Sequence, residues 1–219
     1  MAKKAEQPAK RLNTIVEDVR AHLDAKHAAR EKALALCRDA LRHSANAIRA
    51  VHRGDFAAAE DLLTGARDML ARAAKDLADH PDIFYAGFVH NAQKEFAEGC
   101  LTLALVAGRP LPSHTDLDVD CPAYLNGMGE AVGELRRYLL DSLRGGDIGR
   151  CESILVAMDD IYAVLVTMDY PEAVTAGLRR TTDAVRGILE RTRGDLTVAL
   201  VQRNLERRLE DFEGKLGPP

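Results

Sequence analysis

In the stretch HNAQKEFAEG, residues 90–99, Glu95 and Glu98 stand three residues apart in a segment of helical pattern. That spacing places both carboxylates on one stripe with Asn91 and Thr102. The adjoining apolar face is Tyr85, Val89, Ala92, Phe96 and Leu103. Two chemistries suit such a pair. Glutamates at the edge of a core face are ordinarily solvated, and taken alone the stretch favours that reading. The alternative is a pair of oxygen ligands for a hard cation such as Mg²⁺, which engages one or two carboxylates and keeps several waters.

A second acidic position lies in ILVAMDDIYAVLVTM, residues 154–168, where Asp159 and Asp160 are the only charges. Val156, Ala157, Ala163 and Val164 make even the back of this helix apolar, so it reads as covered on both sides. A carboxylate buried there is costly unless paired or metal-bound. Asp160 projects away from the stripe of Ile154, Met158, Ile161 and Leu165, toward Ser153, Val156 and Val164. An arginine of a neighbouring helix or chain, or a metal site shared with another helix, would satisfy it. Glu134, in NGMGEAVGELRRY, is a third candidate, with Arg137 three residues on as its competing partner. The seven histidines form no E-x-x-H motif, which argues against a di-iron carboxylate bundle. No G-x-S-x-G, P-loop or G-x-G-x-x-G motif is present.

These residues need helices to hold them, and the composition supplies helices. The 219 residues are 47% hydrophobic and 29% charged, rich in Ala, Leu, Arg and Glu and without tryptophan. Apolar periodicity of three and four predicts helices over 12–51, 56–78, 83–107, 123–143 and 148–168, and a last helical region over 172–213. That region has a candidate bend at Gly194. The breaks are RGD at 53–55, HPD at 80–82, the proline-rich loop GRPLPSHTDLDVDCP, RGGD at 144–147 with Asp147 as N-cap, and DYP at 169–171. We therefore expect an all-α, single-domain bundle of six to seven helices over 12–213, with a disordered leader over 1–11 and a tail over 214–219.

A net charge of −4 gives no global basic field, so any nucleic-acid contact needs a local patch. Residues 178–208 offer one: eight arginines, among them Arg179, Arg180, Arg186 and Arg193, against Asp183, Glu190, Asp195 and Glu206. It is either a solvated face with internal pairs or a phosphate-contacting surface. Cys37, Cys100, Cys121 and Cys151 are scattered, without C-x-x-C spacing, and read as small hydrophobes rather than ligands. The N-terminus lacks the apolar core of a signal peptide, and no run approaches the length of a membrane span. A cytoplasmic protein without a membrane partner is expected.

Several ordered blocks together resemble the translin family. They are GDFAAAEDLLTGARDML, NAQKEFAEG, CPAYLNGMGEAVGELRRYLLDSLRGGD and LVAMDDIYAVLVTMDYPEAVTAGLRRTTDAVRGILERTRGDL, spread over most of residues 12–212. The resemblance implies a seven-helix fold assembling into a hollow, roughly octameric homo-oligomer that binds single-stranded RNA and DNA. It also implies a Mg²⁺-dependent endoribonuclease, with Mn²⁺ as a substitute, because EFAE matches the E-x-x-E of the family's catalytic subunit. On that resemblance Glu95, Glu98 and Asp160 are catalytic and metal-binding, Glu134 is a further ligand candidate, and Asp159 stands beside the site. The alternative is a non-catalytic scaffold that binds single-stranded nucleic acid, its carboxylates tied up in salt bridges.

Overall fold

The structure, a computed structural model, describes residues 3–216, with side chains described over 10–212. Among the described residues there are nine helices and no strand: α1 (Lys3–His52), α2 (Phe56–Asp76), α3 (Pro81–Phe84), α4 (Phe88–Ala107), α5 (His114–Leu117), α6 (Cys121–Arg144), α7 (Ile148–Leu165), α8 (Glu172–Thr175) and α9 (Leu178–Leu216). Six are long, and the three single turns sit where proline and glycine break the periodicity. The fold is all-α, as the periodicity predicts. It differs at its ends. Helix α1 starts at Lys3 within the expected leader, and α9 runs unbroken through Gly194 to Leu216. Residues 1–2 and 217–219 lie outside the described residues.

Local chemistry sets the other boundaries. Asp55 and Asp147 cap α2 and α7, accepting from the amides of Ala58 at 3.2 Å and Arg150 at 3.0 Å. Gly108, at φ 67°, closes α4 in the left-handed conformation that only glycine adopts without strain.

Helix α1 packs along α2 and α4, α4 lies on α6, and α6 lies on α7 and α9. Alanines buried to 0% exposure, Ala33, Ala40, Ala47 and Ala50 on α1 and Ala59, Ala66 and Ala73 on α2, allow close approach. Leu135 and Leu139 of α6 are at the centre, equally inaccessible. Truncating either to alanine would cost about 2–5 kcal/mol. Asn126 ties the far side together: its Nδ2 donates to the Thr175 carbonyl at 2.9 Å, and its Oδ1 accepts from Thr181 Oγ1 at 2.7 Å. That staple sets the start of α9 beside α6.

Two helix ends run beyond this core. Leu12, Ile15, Val16, Val19 and Leu23 of α1 are exposed, as are Val198, Val201, Leu205, Leu209 and Phe212 of α9. No helix among the described residues is long and apolar enough to cross a membrane.

Candidate metal and nucleic-acid site

Glu95 and Glu98 leave α4 on the side that faces α6. Two glycines of α6 bring its neighbours unusually close, Gly127 toward α4 and Gly129 toward α9. A Cβ on Gly127 would stand 2.5 Å from the Lys94 carbonyl oxygen and 3.0 Å from the Glu98 nitrogen. One on Gly129 would stand 2.3 Å from Thr181 Cγ2 of α9. With α4 and α9 drawn onto the same stretch of α6, Glu130 is carried to the two glutamates. Carboxylate oxygens of Glu95, Glu98 and Glu130 all lie within 4.8 Å of one another.

They open into a cleft of about 680 Å³ bounded by α1, α4, α6 and α9. Its apolar walls include Ile48, Val185 and Ile188, and Arg49, Arg137 and Arg180 stand around the acids. A second cavity of about 430 Å³ shares Glu130, Arg180 and Thr181 with the cleft and adds His90, Asn91 and Lys94.

Electrostatics follow from this crowding. Glu98 is buried, at 8% exposure, and burial first, then the charges of Glu95, Glu130 and Glu134, push its pKa up to about 8. Glu95 is raised in the same way, by burial and then by Glu130. Lys94 is the opposing charge, its Nζ 2.6 Å from Glu130 Oε1. Glu134 behaves oppositely. His52 hydrogen-bonds its carboxylate at 2.5 Å, lowering its pKa, and Arg137 stands 3.9 Å away.

The cluster fits a hard divalent cation. It presents three oxygen donors and no sulfur or imidazole. It also holds a buried carboxylate whose negative charge is disfavoured until something positive joins it.

The structure redistributes the residues expected from the sequence. Glu95 and Glu98 come together. Glu134 lines the same cleft one turn after Glu130, outside the three-carboxylate cluster. Asp160 is corrected: it is exposed on α7, and no α7 residue lines the cleft. Helix α7 buries Cys151, Ile154, Met158, Ile161 and Leu165, and Asp160 points the other way, on the side of Val156 (59% exposed) and Val164 (45%). The back of α7 is thus open in this chain, not covered. Asp159 pairs with Arg193.

Of the four arginines expected to bind nucleic acid, Arg180 alone reaches the cleft, and it pairs with no carboxylate among the described residues. Arg193 is engaged by Asp159, Arg186 lies 3.7 Å from Asp183, and Arg179 lines a separate cavity near Tyr170. Sequence reasoning missed Glu130, Arg49 and His52. Glu130 carried a signal: in NGMGE it follows the two glycines that permit close packing.

Comparison with known proteins bears on the fold that carries this site. No protein-family profile matches the chain. An uncharacterized protein of Methanocaldococcus jannaschii is 30% identical over 191 residues, covering 86% of this chain and 84% of that protein. Among solved structures, AfC3PO in complex with duplex RNA is 35% identical with a TM-score of 0.79, covering 86% of this chain and 97% of that one. AfC3PO solved alone is 34% identical at the same TM-score, with 86% and 98% covered. Apo-NeC3PO, 17% identical with a TM-score of 0.76 over 84% and 96%, shares the fold. The class defined by these long helices is the C3PO-type all-helical protein. This chain belongs to the translin family.

Proposed function

We propose that this protein is a metal-dependent endoribonuclease that binds and cuts single-stranded RNA, binds single-stranded DNA, and works as a homo-oligomer. The observation that carries the proposal is the three-carboxylate cluster set in a cleft flanked by arginines. Glu95, Glu98 and Glu130 would hold Mg²⁺ or Mn²⁺. The cation would supply polarisation of a phosphate oxygen and an acidified water. Arg49, Arg137 and Arg180 line the cleft and would neutralise the phosphodiester, which the glutamates would otherwise repel. The adjoining cavity with His90, Asn91 and Lys94 gives the strand a polar continuation beyond the acids. RNA as ligand has further support from AfC3PO, solved with duplex RNA. Contacts of this kind position a backbone without reading its sequence, so base preference should be weak.

Self-assembly rests on the two exposed apolar stripes of α1 and α9, which a second copy would cover. The reading as a scaffold without catalysis keeps one observation in its favour, the Lys94–Glu130 ion pair that already occupies one carboxylate. Incubating labelled single-stranded and duplex RNA with the protein in Mg²⁺ or in EDTA separates the two. Mg²⁺-dependent cutting of the single strand is expected. Salt-sensitive binding without any cutting would establish the scaffold instead.

A further inference from the structure

The fourth glutamate of the cleft is held differently from the other three. His52 closes α1, and its side chain is 6% exposed. Its Nε2 lies 2.5 Å from Glu134 Oε2, across the packing of α1 on α6. Its Nδ1 is buried with no hydrogen-bond partner among the described residues. An imidazole with one nitrogen left unmatched at this depth is costly, and an apolar side chain would fill the space without that cost. What the imidazole provides is the Glu134 contact. It holds a cleft-lining carboxylate outside the cluster formed by Glu95, Glu98 and Glu130. The hydrogen bond from His52 lowers the basicity of Glu134, but a carboxylate that coordinates a divalent cation loses more.

We propose that Glu134 is the proton acceptor for the attacking water and that His52 is the positioning residue that orients it. The proposal rests on the nuclease reading above. In the step, the water oxygen bonds to phosphorus and the phosphorus–oxygen bond to the departing ribose breaks. Glu134 takes the water's proton, and the departing oxygen takes one from solvent. His52 touches neither water nor phosphate. Its Nε2–H donates to Oε2, leaving the other carboxylate oxygen for the water.

The test uses the full-length protein with His52→Gln, His52→Leu and Glu134→Gln, the last keeping side-chain volume so that the fold is retained. Steady-state cleavage of a labelled single-stranded RNA is measured beside Mn²⁺ affinity by electron paramagnetic resonance. Expected for His52→Leu is a fall in kcat of about 10–100-fold, with KM and Mn²⁺ affinity within about twofold of wild type. His52→Gln, which keeps a donor, recovers most of the rate. Glu134→Gln loses about 10²–10⁴-fold in kcat while still binding Mn²⁺. If His52→Leu cuts as wild type does, or Glu134→Gln loses Mn²⁺ along with activity, the proposal is overturned while the nuclease reading stands. A wild-type protein that binds Mn²⁺ and cuts no RNA overturns both.

Discussion

Gly127 and Lys94 touch through their backbones: a Cβ on the glycine would stand 2.5 Å from the lysine carbonyl oxygen. The contact lies beside Glu95, one turn before Glu98 on α4 and one turn before Glu130 on α6. It fixes the separation of α4 and α6 and therefore the separation of Glu130 from Glu95 and Glu98.

Gly127→Ala should consequently damage the site more than the fold. The added methyl meets backbone, which cannot swing aside as a side chain would, so α6 must shift. We expect destabilisation of about 1–3 kcal/mol, and a larger proportional loss of Mn²⁺ affinity. Thermal melting beside Mn²⁺ titration checks it. An alanine variant with wild-type metal affinity would show that the close approach does not set the cluster.

Glu98→Gln should stabilise the metal-free protein at pH 8 while weakening its metal binding. The folded-state pKa of Glu98, about 8, lies above its ordinary value of 4.5, so the folded chain binds this proton more tightly than the unfolded chain does. Stability therefore falls as pH rises from 4.5 to about 8, and glutamine removes that loss. Melting curves without metal at pH 5 and pH 8 should show the variant gaining at pH 8 alone. An equal difference at both values contradicts the assignment.

The same linkage predicts that metal uptake releases protons. Near pH 7 Glu98 is largely protonated, and a coordinating carboxylate must give its proton up. Calorimetric titration with Mn²⁺ in buffers of different ionisation enthalpy should report close to one proton released at pH 6.5 and fewer at pH 9. No buffer dependence would remove Glu98 from the ligand set.

Arg180 and Arg193 should separate cleanly. Arg180 lines the cleft and has no acidic partner among the described residues, whereas Arg193 is engaged by Asp159. Single-strand RNA affinity, measured by filter binding at low salt, should fall several-fold for Arg180→Ala and shift its salt slope by about 1. Arg193→Ala should stay within about twofold. Equal losses would place the strand along the whole of α9 rather than in the cleft.

The helices were legible because period-3.6 patterning is a local property. Asp147 as cap and the breaks at 53–55 and 169–171 could be read from a few residues each. The family resemblance singled out the glutamate pair, and its shared stripe was legible because E-x-x-E on one helix fixes its own geometry. What joins that pair was not, because it depends on which neighbouring helix arrives and at what distance. Asp160 drew attention as an isolated charge on an apolar helix, yet isolation in sequence is not burial in space, and α7 turns that side outward. In NGMGEAVGELRRY Glu134 was the candidate, and Glu130 was not singled out. Its role follows from Gly127 and Gly129, whose missing side chains matter only once α4 and α9 are seen against them. His52 lies 82 residues from Glu134, beyond any local pattern.

In the proposed metal site Glu130, rather than Asp160, joins Glu95 and Glu98. Mg²⁺-dependent cleavage of a labelled single-stranded RNA by wild type, Glu130→Gln and Asp160→Asn under identical conditions tests this assignment. Glu130→Gln should lose cutting by about a hundredfold or more, since a ligand to the cation is gone. Asp160→Asn should cut at the wild-type rate. Cutting by Glu130→Gln at the wild-type rate, with activity lost in Asp160→Asn, would contradict the assignment.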